Sequence, residues 1–297
     1  MVKVVLYWSN ICVLNKGEVE LLKKVQSGLL LDGIDFEIKF FGLGYPTHMS
    51  DYLREDNAIL PDIILTTDLE VFEDKRVFEK LKLTLTDCSK WYSNTLRGAE
   101  RSYLLPYLAI PVLLFSKDKK NLSFKDLKHN RPAFGGINNS AAKSVVKLMW
   151  ERYGKDEAEA LMESATITPM PIGAFQSTRN GMSDVALIPS LFALSDSSFV
   201  SSPLKEGIPG IPSYFAVRNT ISEGIAKKLI ERLNKDDFIS LYEEKGKLLM
   251  ASREKPSWFK SMNSDLLFLS ESFISHLDPE EFYDTYCHYI PSALSYK

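Results

Sequence analysis

The chain has 297 residues, ordinary globular composition and a net charge of −3. That length exceeds what one core usually fills, so two α/β lobes are expected. The charge gives no footprint for nucleic acid or an acidic membrane, and no apolar run is long enough to span a bilayer.

Residues 2 to 8 (VKVVLYW) read as a buried strand with Ser9 and Asn10 as its exit loop. Residues 17 to 31 read as an amphipathic helix ending near Asp32 and Gly33, and residues 36 to 42 as an alternating second strand. A short helix around His48 to Glu55 and the strand DIILTT at 62 to 67 complete a β-α-β-α-β order, which implies a parallel sheet with right-handed crossovers. A helical stretch through 69 to 81 precedes YLLPYLAIPVLLFSK, residues 103 to 117, a proline-broken apolar segment suited to crossing between lobes. A second series follows: strand 132 to 137, helices 141 to 153 and 155 to 164, strand 165 to 169, helix 174 to 181 and strand 184 to 189. IPSYFAVRN, residues 211 to 219, looks like the return crossing. Helices at 221 to 233 and 236 to 246 come next, and residues 256 to 297 are expected to form further helices packing on the first lobe.

Cys12, Cys88 and Cys287 have no CxxC spacing, which fits a reducing compartment or buried inert thiols. The first residues carry a strand pattern rather than a basic region followed by an apolar leader. The protein is therefore expected outside the cytoplasm if a leader was removed, and in the cytoplasm if Met1 is the native start.

The order of segments resembles the type II periplasmic solute-binding proteins, from Val2 to about Ser252. Three patterns carry the resemblance: the crossing YLLPYLAIPVLLFSKD with its LSFKDLK lead-in, GMSDVALIP, and the closing run from IPSYFAVRN to KLLMA. The resemblance implies two lobes, each with a mainly parallel sheet flanked by helices, joined by two crossing segments. Lobe 1 would comprise residues 1–107 plus 219–297, and lobe 2 residues 108–218. It also implies a hinge, capture of a small ligand in the cleft, and a membrane permease of an ABC-type transporter as partner.

Ligands of open α/β sheets bind beyond the carboxyl ends of the strands. That rule selects Trp8, Ser9 and Asn10 after the first strand, and Thr66, Thr67 and Asp68 after the third. From the second lobe it selects Asn138, Asn139 and Ser140, then Gln176, Ser177 and Ser190, with Tyr107 and Tyr214 beside the crossings. Hydroxyls and amides of this kind suit a small polar solute or an oxyanion. Each residue also has a plainer role: Ser9, Ser140 and Ser177 as helix caps, Asn138 and Asn139 as turn formers, Asp68 as a cap, Trp8 and the tyrosines as core. Tyr103, Tyr107, Tyr214 and Asp68 have the residue types of a ferric site. Arg97 and Arg101 in NTLRGAERS read as a solvated helix face, and Tyr286, Cys287, His288 as a helix with its cysteine inward.

No nucleophile–base pair, phosphate loop of GxxxxGK[ST] type or HExxH motif is visible, so a binding role without chemistry, cofactor or resident metal is the favoured reading. The alternative is a cytoplasmic enzyme on the same fold, similar to menaquinone- or pyrimidine-pathway enzymes, with Asp68 or His48 as its titratable group.

Overall fold

The computed structural model describes residues 1–42, 44–85, 92–135 and 140–290, the side chain of Cys12 excepted. In chain order the elements begin with β1 (Val2–Ser9), α1 (Asn15–Leu31), β2 (Ile34–Phe41), α2 (Met49–Arg54), β3 (Ile63–Thr66), α3 (Glu70–Glu73), α4 (Lys75–Leu81) and β4 (Leu83–Thr84). The long strand β5 (Leu105–Ser116) leads to α5 (Phe124–Leu127), β6 (Pro132–Gly135), α6 (Ser140–Tyr153), α7 (Lys155–Ser164) and β7 (Thr166–Thr168). Then come α8 (Pro171–Arg179), β8 (Val185–Pro189), α9 (Ser190–Ala193) and β9 (Val200–Ser202). A second long strand, β10 (Ile208–Arg218), precedes α10 (Glu223–Leu233), α11 (Asp236–Ile239), a π-helical turn over Ser240–Lys245 and β11 (Leu249–Met250). The last elements are α12 (Ser257–Lys260), β12 (Leu266–Leu267), α13 (Glu271–His276) and α14 (Pro279–His288).

The chain divides into two compact units, Met1–Ala109 with Pro212–Glu254, and Ile110–Ile211 with Lys255 onward. It therefore passes from one to the other three times: within β5, within β10 and after Glu254.

In the first unit β1 lies between β2 and β3, parallel to both, and the later half of β10 runs antiparallel to β3. β4 pairs with the end of β10, and β11 with the start of β5. Tyr7, Phe41, Met49, Leu53, Ile64, Val71, Val77, Leu81 and Ala216 form a core on this sheet. Burying each large apolar side chain there contributes about 1.5–3 kcal/mol. α1 turns Leu22, Val25 and Leu29 inward at helical spacing. It stops where Gly33 takes a φ of +79°, a left-handed position that closes helices without the penalty of a Cβ. Arg232 of α10 clamps that end by donating to the Gly28 carbonyl at 3.1 Å and to Asp32 at 2.7 Å.

In the second unit β6 lies between β7 and β8, parallel to both. β5 pairs antiparallel with β8 and β9. The strands PAFG and VALIP are buried throughout, as expected of parallel strands covered on both faces. α8 seats directly on β6. A Cβ at Gly135 would lie 2.1 Å from the Pro171 Cα, so only glycine lets the helix start there.

The C-terminal segment was expected on the first lobe and belongs instead to the second unit. Phe282 and Tyr286 of α14 are the reason: both are buried, with the Phe282 ring 6.0 Å from that of Trp150 on α6. Lys155 pairs with Glu281 at 2.7 Å, and β12 adds a parallel strand to β10 at Ile208 and Pro209. The inward residue of the 286–288 triplet is thus Tyr286, and Cys287 is exposed.

Other departures have local causes. The helix expected through 69 to 81 breaks at Asp74, which is extended and caps α4 by accepting from the Arg76 amide at 3.0 Å. Arg97 and Arg101 do not share a helix face, because only a single 3-10 turn, Asn94–Leu96, forms there. Ser140 is the first residue of α6 rather than its N-cap, and Asn138 and Asn139 lie outside the described residues. No helix among the described residues is long and apolar enough to cross a membrane.

Candidate functional site

The strand order in the first unit is 2-1-3, so successive connections leave β1 in opposite directions. A crevice opens at such a reversal, beyond the carboxyl ends of the two diverging strands. Here those ends are Ser9 on β1 and Thr66 on β3, and their hydroxyls are hydrogen-bonded to each other. The Thr66 hydroxyl also accepts from the Asp68 amide at 2.9 Å. The Asp68 carboxylate in turn accepts from the Ser50 amide at 2.9 Å, so it caps the first turn of α2 from another segment. Asn10 donates its amide to the Phe41 carbonyl at 3.1 Å, and its side chain lies where a Cβ on Gly42 would come within 2.5 Å. Ser9, Asn10 and Thr66 are buried, while Thr67 and Asp68 are half-buried at the rim. Trp8 is wholly within the core.

The second unit repeats the arrangement, with β6 between β7 and β8. The reversal falls between the ends of β6 and β8. Ser140 follows the first and is half-buried at the start of the fourteen-residue helix α6; Ser190 follows the second and is buried. Ser177 is buried with its hydroxyl bonded to that of Ser183 at 2.8 Å, and Gln176 is exposed on α8.

The tyrosines beside the crossings are structural in their hydrogen bonding. Tyr107 donates its hydroxyl to the Leu233 carbonyl at 2.7 Å, and Tyr214 donates to the Ala99 carbonyl at 2.6 Å. Burial lifts the Tyr107 phenol well above its ordinary value, which keeps it a protonated donor rather than a phenolate ligand. Among the described residues no cluster of three or more His, Cys, Asp or Glu side chains could hold a metal ion.

No protein-family model and no curated protein sequence matches the chain. Solved structures do. Iron-bound HitA from Pseudomonas aeruginosa is 16% identical, with 97% of this chain and 99% of that one covered at a TM-score of 0.66. A periplasmic thiamin binding protein is 13% identical over 97% and 96% of the two chains, also at 0.66. IdiA (FutA) from Trichodesmium, in complex with iron and citrate ligands, is 14% identical over 96% and 97%, again at 0.66. The chain has the type II periplasmic binding protein fold. Coverage of whole chains at this identity establishes the architecture and leaves the ligand to the side chains.

Within this periplasmic binding protein fold, strand-end reasoning points to Ser9, Thr66 and Asp68 as candidates and passes over a buried acid close by in the chain. Glu18, at the first turn of α1, is fully buried. Its carboxyl accepts from the Ile11 amide at 2.9 Å and from the Tyr242 hydroxyl at 3.0 Å, while the Trp8 indole N–H approaches outside hydrogen-bond geometry. Burial pushes the carboxyl up to about 7, and those two hydrogen bonds offset only part of the rise. The signal was present in the sequence: Glu18 stands at positions i of the i, i+4, i+7, i+11 stripe completed by Leu22, Val25 and Leu29.

Proposed function

We propose that this protein captures a small polar solute or oxyanion by closing its two lobes on it, without transforming it, for delivery to the permease of an ABC-type transporter. The observation that carries this reading is the paired strand-order reversal. Each unit presents a first strand flanked by two parallel neighbours, with hydroxyl side chains, Ser9 and Thr66 or Ser140 and Ser190, at the ends where such sheets receive ligands. The likeness to structures named for iron, thiamin, and iron with citrate supports small-solute capture over whole-chain coverage and spans cargoes of quite different chemistry.

A thermal-shift screen of the full chain tests the reading, with ferric citrate, citrate, phosphate, sulfate, thiamin and the amino acids as probes. A solute present at a hundred times its Kd stabilises the native state by about 2.7 kcal/mol. One probe that shifts the transition by several degrees, with the shift reduced in Ser140→Ala, supports capture. A flat response to every probe at millimolar concentration counts against it.

A further inference from the structure

Glu18 is an acid where the inward stripe of α1 otherwise carries hydrocarbon. It has no solvent exposure, and its two oxygens tie segments far apart in the chain: the Ile11 amide after β1 and the Tyr242 hydroxyl on the π-helical turn. The titratable groups that face it are Tyr107 on β5 and Tyr242, with the Trp8 indole of β1 beside them. None is a cation, and among the described residues Glu18 has no ion-pair partner. The Ile11 amide belongs to the loop that carries Ser9 and Asn10 off the end of β1, and the Ile11 carbonyl accepts from Leu14 at 2.7 Å to close it. The carboxyl is therefore the floor of the strand-end loop.

The two protonation states serve that loop differently. A neutral acid matches both partners: one oxygen accepts from the Ile11 amide, and the O–H donates to the Tyr242 oxygen once that hydroxyl rotates. An anion accepts from both donors but carries a fully buried charge that no cation among the described residues pairs with, which is costly. Opening the loop to solvent relieves that cost.

We propose that Glu18 is a proton-controlled latch beneath the Ser9–Ile11 loop: protonated, it keeps the loop packed; ionised by loss of its proton to solvent, it frees the loop to open. The consequence for ligand rests on the solute-capture reading, in which this loop touches the cargo; the latch itself is tested without a ligand. The sign follows from linkage. A carboxyl buried in the closed loop and hydrated in the open one holds its proton more tightly when closed, so opening becomes easier as pH rises from the ordinary carboxylate range through neutrality.

The test is amide hydrogen exchange of the full chain at pH 5 and pH 8, read over residues 9 to 14 and corrected for the intrinsic chemical rate. Wild type is expected to lose about tenfold or more in protection at pH 8. Glu18→Gln has no proton to lose and keeps the neutral pattern, amide oxygen to Ile11 and amide N–H to Tyr242. Its protection should be equal at the two pH values and match wild type at pH 5. Tyr242→Phe removes a donor to the anion without touching the loop, so the midpoint of the wild-type profile should move to higher pH. A wild-type loop equally protected at both pH values, or a Glu18→Gln profile that follows the wild-type one, overturns the latch. Should Glu18→Gln fail to fold, the wild-type profile and the Tyr242→Phe midpoint decide the matter. A solute screen without a hit would sink capture while leaving the exchange result intact, so the two failures are distinct.

Discussion

Replacing Arg54 by alanine should cost the first unit about 2 kcal/mol. At the end of α2 its guanidinium reaches three carboxylates: Asp51 at 2.9 Å, Glu70 at 3.0 Å and Asp74 at 3.0 Å. The Asp51 pair lies in solvent and counts for little. Glu70 and Asp74 are only 15% and 13% exposed, so truncation takes the Arg54 guanidinium from two carboxylates held largely out of water. A hydrogen bond to a charged group contributes about 1.5–3 kcal/mol when buried. Arg54 is itself 32% exposed and Asp74 keeps Arg76 as a second partner, which discounts the pair to the figure given.

Burial pushes the Asp74 carboxyl up, but hydrogen bonds from Arg54 and Arg76 outweigh it and hold it below its usual 3.8. A carboxyl depressed in the folded state contributes fully above its unfolded value and loses that contribution as pH falls through the folded one. The cost of Arg54→Ala should therefore be complete at pH 7 and shrink below pH ~4. Urea unfolding followed by tryptophan fluorescence, with Trp8 as the one tryptophan left in a Trp91→Phe, Trp150→Phe, Trp258→Phe background, measures it, with Arg54→Lys recovering less than half, because an ammonium cannot reproduce the fork. A loss under about 0.5 kcal/mol at pH 7, the range of an ordinary surface substitution, or one unchanged at pH 3, would refute the reasoning.

Gly135→Ala should destabilise the second unit by about 1–3 kcal/mol, because the new methyl meets the backbone of Pro171 rather than a side chain that could turn aside. Its denaturation midpoint checks this; an unchanged midpoint would mean that α8 does not sit against β6 as described. Tyr107→Phe should cost about 1–2 kcal/mol, since it leaves the buried carbonyl that ends α10 without its donor, and equilibrium unfolding should show the loss. Asp278→Ala removes the side chain that accepts from the Glu280 and Glu281 amides and should cost about 1 kcal/mol. Faster amide exchange confined to the first turn of α14 is its signature, and exchange unchanged there would discount the cap.

The elements were legible because their periods are local. The stripe Leu22, Val25, Leu29 marks α1, and the apolar runs PAFG and VALIP mark strands buried on both faces. Strand order is a different kind of information. Nothing in residues 2 to 66 says that β1 takes the centre, yet that choice alone brings Ser9 against Thr66 across fifty-seven positions of chain. The strand-end rule thus selected Ser9 and Thr66 separately without showing that their hydroxyls bond to each other. The partners of Tyr107 and Tyr214 are backbone carbonyls, which leave no trace in side-chain patterns. The tail was misplaced because an amphipathic helix such as α14 announces a buried face without naming what buries it. Glu18 was passed over for the opposite reason: it interrupts a stripe by charge while keeping its phase.

The three passages of the chain between units constrain how the protein can be born. Synthesis runs from the N-terminus, yet the first unit needs Pro212–Glu254 and the second needs the segment beyond Lys255. When Ala109 leaves the ribosome, β3 still lacks the antiparallel neighbour that β10 supplies. When Ile211 leaves it, α6 still lacks Phe282, which lies buried near Trp150. The first unit therefore cannot complete its core until the segment ending at Glu254 has emerged, and the second waits for Phe282. A nascent chain of this design holds its first unit unfinished across the synthesis of the whole interposed segment Ile110–Ile211, so neither unit can fold to completion by itself as it emerges.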